Sequence, residues 1–240
     1  MEFSGFERPG GLVGVRNTVL AIAICDCGEP AAQQMAAGIP GAVAVTQYHG
    51  CIALEVVPIL IGAAANPNIY GTLLVAMGCE GQRAEPIAEQ IAAFGKPVEI
   101  VDIQATGSTR RAIAHGRSIL QKMTADAARQ QRKPFDISNL AVGVKCGGSD
   151  TSSGIAANPA IGIMSDLMVD AGARVLMTEP IEAIGAEDEL ARRAANDKVR
   201  EDILRWVGDE EKRWTVPGAS VDFMCGGNVK GGLTTLEEKS

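Results

Sequence analysis

The stretch Leu140-Ala141-Val142-Gly143-Val144-Lys145-Cys146-Gly147-Gly148-Ser149-Asp150-Thr151-Ser152-Ser153-Gly154-Ile155-Ala156-Ala157-Asn158-Pro159 decides how this chain is read. Its first five residues are an apolar run of buried-strand length. Beyond it, Ile161, Met164, Leu167, Met168 and Ala171 recur at the spacing of a helix face. The pattern predicts a strand, a glycine-rich turn and a helix. At such a junction backbone N–H groups and the positive helix end converge, which suits an anion. Gly147 and Gly148 allow a sharp turn and the close approach of a ligand. Ser152 or Ser153 can cap the helix, and Cys146 and Asp150 project at the same place. The turn is not a GxxxxGK[ST] phosphate loop, and Gly and Ser in such a turn also serve geometry alone.

The same pattern repeats along the chain. Apolar runs at 18–24, 41–45, 73–77, 98–103 and 174–177 alternate with helical segments at 29–38, around 54–61, at 85–94 and from 107 to about 131. Apolar runs that do not alternate with polar residues, separated by helices, indicate a parallel sheet covered on both faces. The expected fold is α/β: a three-layer, open, mostly parallel, Rossmann-like sheet with helices on both faces and right-handed crossovers. The expected organisation is an irregular segment over 1–16, one α/β domain over 17–215, and a glycine-rich loop over 216–240 that leads into a helix. From 187 to 214 the chain is rich in charge, while Val199, Ile203, Trp206 and Val207 keep helical spacing, so an amphipathic helix with a solvated face is expected. Near the end, Thr234 with Glu237, or Thr235 with Glu238, has capping-box spacing. A helix is starting there, so the chain reads as cut.

The 240 residues contain 46% hydrophobic, 21% charged and 4% aromatic residues, an ordinary soluble composition with a core of Ala, Val, Ile, Leu and Met. A net charge of −7 argues against a nucleic-acid partner or an anionic membrane surface. No apolar run reaches the roughly 20 residues that span a bilayer, and the N-terminus lacks signal-peptide character. A cytoplasmic location is the expectation, with the six cysteines as reduced thiols.

Ligands of parallel α/β sheets bind beyond the carboxyl ends of the strands. Asp26 and Cys27 follow the first run, His49 and Cys51 the second, Cys79 and Glu80 the third. Asp102 ends the fourth, Cys146 and Asp150 follow the fifth, and Glu179 follows the sixth. Thiols from separate strands are expected to meet around one metal. The spacing is not that of a zinc finger; thiolates with an open coordination position suit iron, either as a single Fe(II) or as an iron–sulfur cluster with a free corner. Cys25 is expected to be a small buried hydrophobe, and His115, on a long helix beside Arg110, Arg111 and Arg117, to be solvated or structural.

Several motifs carry a resemblance. Gly5-Phe6-Glu7-Arg8 with Gly14-Val15-Arg16-Asn17, Met77-Gly78-Cys79-Glu80, Lys145-Cys146-Gly147-Gly148-Ser149-Asp150 with Ser153-Gly154 and Ala157-Asn158-Pro159, Gly185-Ala186-Glu187, and the run from Gly231 to Lys239 resemble the altronate/galactarate dehydratase family. The resemblance covers essentially the whole chain. The family includes the large subunit of sulfolactate sulfo-lyase, and Ala195-Asn196-Asp197 with Val199-Arg200-Glu201 is similar to that branch. Cys51 and Cys79 are more like the sugar-acid dehydratases.

The resemblance implies an Fe(II)-dependent lyase that removes water from a small anionic sugar acid. It also implies a further C-terminal domain, a small N-terminal domain or subunit, and a fragment that lacks turnover by itself. A homo-oligomer is an open expectation. Cys51, Cys79 and Cys146 are the expected metal donors. Gly147, Gly148, Ser149, Asp150 and Gly154 are expected to hold the substrate, with Asn228 in a loop that closes over it. His49, Lys145 and Glu179 are the acid/base candidates, unranked. The alternatives are a sulfo-lyase that expels sulfite, and a non-catalytic sugar-acid-binding module.

Overall fold

The computed structural model describes residues 1–51, 54–218, 225–235 and 238. It is a mixed α/β structure whose contacts divide it into two compact units, Met1–Asp136 and Ile137–Ser240. The first unit runs β1 (Glu2–Glu7), β2 (Val13–Gly14), β3 (Thr18–Ala23), α1 (Glu29–Ala36), β4 (Ala42–Val45), α2 (Val57–Ala65), β5 (Ile69–Ala76), α3 (Ala84–Ala92), β6 (Val98–Asp102), α4 (Ile103–Thr106), α5 (Thr109–Ala128) and β7 (Lys133–Asp136). The second runs β8 (Ala141–Val144), α6 (Asn158–Asp170), β9 (Arg174–Met177), α7 (Glu187–Arg192), α8 (Asp197–Trp214) and α9 (Gly226–Lys230).

A parallel four-stranded sheet in the order β4-β3-β5-β6 forms the centre of the first unit. Every residue from Val19 to Cys25 is at most 5% exposed, and Leu73 to Ala76 at most 3%. Because alternate residues of a strand face opposite sides, these two strands feed two cores. Val19, Ala21, Ala23, Leu73 and Val75 pack with Ala32, Met35, Ala112 and Leu120 of α1 and α5. Leu20, Ile22, Ile24, Leu74 and Ala76 pack with Leu60, Ala64, Ile87 and Ile91 of α2 and α3. Gly116 lets α5 pass close to α1: a Cβ there would lie 2.4 Å from Met35 Sδ.

Residues 1–16 are not the irregular segment their glycine content predicts. β1 pairs antiparallel with β2 on one side and with β7 on the other. The partner β7 lies more than a hundred residues along the chain, which local pattern cannot reveal. Arg8, buried in this region, joins the segment to the sheet domain. Its Nε donates to Pro67 O (2.7 Å), Nη1 to Gln130 Oε1 (2.9 Å), and Nη2 to Arg16 O (3.1 Å) and Asn17 Oδ1 (2.6 Å). Asn17 Nδ2 in turn donates to Ala127 O at 2.6 Å. Gly14 is required by close approach, since a Cβ would sit 2.1 Å from Pro67 O. Two of the motifs that carry the family resemblance thus form a structural clamp.

The single domain expected over 17–215 is also corrected. β8 and β9 form their own two-stranded parallel sheet, with Ala141 opposite Arg174 and Val144 opposite Met177, inside the second unit. Apolar periodicity identifies strands but not their partners. The second unit has a small core of Ala183, Ile184, Val207 and Leu233. α6 buries none of its described residues, although its periodicity predicts a packed face; Leu167 is 66% exposed. α8 is the expected amphipathic helix, capped by Asn196 Oδ1 accepting from Val199 N at 3.0 Å. The expected capping box is met at Thr235 and Glu238: Thr235 N donates to Glu238 Oε2 (3.3 Å) and Glu238 N to Thr235 Oγ1 (3.3 Å). Glu237, the other candidate, lies outside the described residues. Among the described residues no helix is long and apolar enough to cross a membrane.

Removing a buried charged donor with four acceptors leaves those acceptors unsatisfied, and hydrogen bonds to charged groups each contribute about 1.5–3 kcal/mol. Arg8→Ala is expected to lower the urea-unfolding free energy by at least about 2 kcal/mol. Glu7→Ala, which removes only an exposed pair with Lys133, is expected to cost under about 1 kcal/mol.

Candidate functional site

In the second unit, the chain leaving β8 turns at Lys145 to Asp150 and enters a helical run at Thr151 that includes a π-helical turn, Ser153–Ala157, before α6. Such turns often mark functional sites. Glu179, just past β9, reaches this turn. Its Oε1 lies 2.8 Å from Lys145 Nζ, and its Oε2 accepts from Cys146 N at 3.1 Å. The strand pairing makes this possible, because Val144 and Met177 are opposite one another and both chains leave the sheet at the same height.

Glu179 has φ 62°, the one positive value among the described non-glycine residues. The left-handed region costs an ordinary residue about 1–2 kcal/mol, and such strain persists where surrounding contacts impose it. The carboxylate's hydrogen bond raises the Lys145 ammonium above the ordinary lysine range, although Lys145 itself is exposed.

Asp150 has a local task. Its Oδ1 accepts from Ser153 N (3.2 Å) and from Ser152 Oγ (2.5 Å), while its own N donates to Ser153 Oγ (3.1 Å). These bonds, led by the Ser152 hydroxyl, hold its carboxyl below the usual range. Asp150 and Ser153 therefore cap the helical run reciprocally. Ser149 Oγ lies 3.3 Å from Cys146 Sγ.

A Cβ on Gly147, Gly148 or Gly154 would meet open space. Internal packing does not demand glycine at these three positions. The reverse holds at the end of α9. A Cβ on Gly231 would lie 2.8 Å from Asp150 Cβ, and one on Gly232 2.3 Å from Thr151 Oγ1. Thr151 donates from both N and Oγ1 to Gly231 O at 2.9 Å. This pins the loop bearing Asn228 against the turn, and Asn228 O accepts from Leu233 N at 3.0 Å.

In the first unit a different set gathers beyond the carboxyl ends of β3, β4 and β5. Ile22 pairs with Val45, so Ile24 and Gln47 leave the sheet together. Gln47 is buried and donates from Nε2 to Ile24 O (3.1 Å) and Gly50 O (2.9 Å), while its Oε1 accepts from His49 N (2.5 Å). Cys51 O accepts from Gly81 N at 2.9 Å. The loop is thereby folded back so that sulfur and oxygen donors of Cys25, Asp26 and Cys51 all lie within 4.8 Å of one another. Cys27 Sγ stands 4.0 Å from Cys51 Sγ. Burial pushes the Cys25 thiol up, and the neighbouring Cys51 thiol and Asp26 carboxylate do the same to Cys27.

The expected metal trio is divided between the units, with Cys51 and Cys79 in the first and Cys146 in the second. Among the described residues, Cys25, Asp26 and Cys51 form the group close enough to share an ion, and it includes neither Cys79 nor Cys146. Cys79 is exposed, in a turn where Glu80 Oε2 accepts from Gly78 N (2.7 Å) and Cys79 N (3.1 Å). Asp102 caps α4, accepting from Ala105 N at 2.8 Å. His49 is exposed in the first unit. Cys25 is fully buried as expected, yet its sulfur belongs to the group. Gln47, which organises that edge, carries no motif; only the β3–β4 register reveals it.

Comparison with known proteins places these edges in context. Residues 5–128 match the profile described as D-galactarate dehydratase/Altronate hydrolase, second domain, and residues 137–240 match D-galactarate/Altronate dehydratase, C-terminal.

The chain belongs to this dehydratase family.

The boundary between the two profiles falls where the structure divides. Similar curated proteins include the (2R)-sulfolactate sulfo-lyase subunit beta of Chromohalobacter salexigens, 34% identical over 99% of this chain and 62% of that protein. The altronate dehydratase of Bacillus subtilis is 31% identical over 99% of this chain and 51% of its own length. The galactarate dehydratase (L-threo-forming) of Escherichia coli is 32% identical over 77% and 37%. The chain thus spans about half to three-fifths of the first two. In this dehydratase-family chain, the motif similar to the sulfo-lyase branch contains Asn196, the cap of α8. That role is structural and does not separate the two reactions.

Stability contributed by the Lys145–Glu179 pair is present below the ordinary lysine range and is lost as pH rises through the elevated value. In Glu179→Gln the Lys145 ammonium, followed by side-chain NMR, is expected to titrate at lower pH than in the parent; an unmoved midpoint contradicts the pairing. At the left-handed position, Glu179→Gly is expected to be about 1 kcal/mol more stable than Glu179→Ala by thermal unfolding.

Proposed function

We propose that this chain forms part of a sugar-acid hydro-lyase, in which the β8–β9 edge receives the substrate's carboxylate. The reaction is loss of water next to that carboxylate from an altronate- or galactarate-like acid. The observation that carries the reading is Glu179, held in a strained backbone conformation while its two oxygens engage Lys145 Nζ and Cys146 N. Strain maintained at a strand end, beside an open glycine turn, is characteristic of a functional site.

The chemistry requires a base for the proton next to the carboxylate, charge to stabilise the anion that results, and help for the departing hydroxide. The amides of residues 147–149, in the open glycine turn, suit the carboxylate. Lys145, kept protonated by Glu179, suits binding charge or proton donation rather than abstraction. That leaves Glu179 as the better candidate base at this edge. Asp150 fixes the turn, and Ser149, Gly154 and Asn228 line the proposed approach. His49, in the first unit, is the remaining acid/base candidate.

The proposed cofactor is Fe(II), and thiol donors fit such an ion chemically. Cys51, Cys79 and Cys146 are the donors that the sequence pattern offers it. Such an ion, when bound, would supply Lewis acidity toward the carboxylate and the leaving hydroxyl. The same reading treats the first unit as a Rossmann-like three-layer domain, supported by helices packed on alternate faces of β3 and β5. It also takes the whole protein to be cytoplasmic, to carry further domains or subunits, and to be a homo-oligomer.

The sulfo-lyase reading has one specific support, the 34% identity to a protein so named. It differs in the leaving group, with sulfite in place of water. Full-length protein purified without oxygen and supplied with Fe(II) is expected to convert an altronate- or galactarate-type acid to a 2-keto acid and to release no sulfite from sulfolactate. Sulfite release alone transfers the assignment to the sulfo-lyase reaction. Tight binding of an unreacted sugar acid by metal-free protein transfers it to a binding module. Gly148→Ala is expected to keep its unfolding midpoint and to raise KM about tenfold or more, because the added methyl stands where a ligand approaches.

A further inference from the structure

We infer that Cys25, Asp26 and Cys51 form a thiolate–carboxylate site for a thiophilic divalent cation in the first unit, with Cys27 as a neighbouring fourth donor. This identifies a donor set different from the one the sequence pattern selects. It rests on no step of the dehydration reading.

Four observations carry it. First, the donor atoms of Cys25, Asp26 and Cys51 lie within 4.8 Å of one another. A tetrahedral ion with sulfur bonds of about 2.3 Å holds its donors roughly 3.8 Å apart. Cys51 Sγ stands 3.8 Å from Asp26 Oδ1 and 4.0 Å from Cys27 Sγ. Small side-chain rotations would therefore bring the donors to coordinating distance.

Second, the set is built rather than accidental. Cys51 arrives from a loop more than twenty residues from Cys25, and that loop is held by the buried amide of Gln47 bonded to Ile24 O, next to Cys25 itself. Gly50, at φ 80°, makes the turn that delivers Cys51. The Gly81 N to Cys51 O bond closes the loop from the far side.

Third, the donors suit a soft or borderline cation: two or three sulfurs with one carboxylate oxygen select zinc or ferrous iron over magnesium or calcium. Fourth, the donors span the range of exposure such a site needs. Cys25 is fully buried, Asp26 and Cys51 are half-buried, and Cys27 is exposed. Three anchored donors and one labile neighbour leave a position that exogenous ligand or Cys27 can fill.

The test uses the 240-residue chain, reduced and free of oxygen, titrated with Co(II) as a spectroscopic probe and then with Zn(II) in competition. The expected result is one Co(II) per chain with a sulfur-to-cobalt charge-transfer band that Zn(II) abolishes. Cys51→Ser is expected to weaken binding at least tenfold and to remove most of the band. Asp26→Asn is expected to weaken binding while retaining the band. Cys79→Ser and Cys146→Ser are expected to bind as the parent does.

A band that survives in Cys51→Ser overturns the inference. So does a band lost in Cys79→Ser or Cys146→Ser, which would restore the set read from the sequence. Absence of binding by a chain whose circular dichroism shows it folded overturns it as well. Formation of a Cys27–Cys51 disulfide on mild oxidation, with no metal taken up beforehand, would show a thiol pair in place of a metal site. Because no substrate is present, failure here is distinct from failure of the dehydratase assignment.

Discussion

β3 and β5 are apolar on both faces, and this constrains everything else in the first unit. A strand that is apolar on both faces puts most of its polar side chains beyond its ends, with Thr72 of β5 as a fully buried exception. Val19 to Cys25 and Leu73 to Ala76 are accordingly buried without interruption, and chemistry appears abruptly afterwards at Asp26, Cys27, Cys79 and Glu80. Parallel pairing then sends the carboxyl ends to a common edge, and the one-to-one register of β3 with β4 fixes which loops become neighbours. Gln47 is the point where that geometry becomes specific: a single buried amide bonds the end of β3 and turns the following loop back onto it.

The second unit uses the same logic on a smaller sheet. Two parallel strands bring Lys145 and Glu179 to one height, and the carboxylate locks the first turn after β8 by accepting from both an ammonium and an amide. Glu179 makes those contacts from a left-handed backbone, at a cost that a purely structural turn avoids by using glycine. Around this point the glycines divide by function. Gly231 and Gly232 are needed for close packing against Asp150 and Thr151, whereas Gly147, Gly148 and Gly154 face open space. Motifs that look alike in sequence thus do two different jobs.

The six strand positions read from apolar runs all became strands, and the helices between them followed, because strand burial and helix period are local properties. What failed was partnership. β1 and β7 were invisible because Gly5 and Pro134 interrupt the apolar pattern and the pair is joined only through distant contacts. The division at Asp136 was hidden for the same reason: nothing in 141–144 says that its neighbour is 174–177. Among the candidate residues, Lys145, Cys146, Asp150 and Glu179 share one edge of one small sheet. Cys51 was legible, but its companions were not. Cys25 reads as the last residue of a buried strand, and only the turn after it, together with the Gln47 bridge, reveals that its sulfur faces Cys51.

The central claim is that the turn at 145–150, organised by Glu179, receives the carboxylate of a sugar acid. Hydrogen–deuterium exchange of the full-length protein, with Fe(II) and without oxygen, tests this most directly when a sugar-acid analogue lacking the departing hydroxyl is added. The account predicts slowed exchange in peptides covering residues 145–154 and 178–180, with the protection lost in Glu179→Gln. Bound analogue that leaves both peptides unchanged, while protecting other parts of the protein, would contradict it.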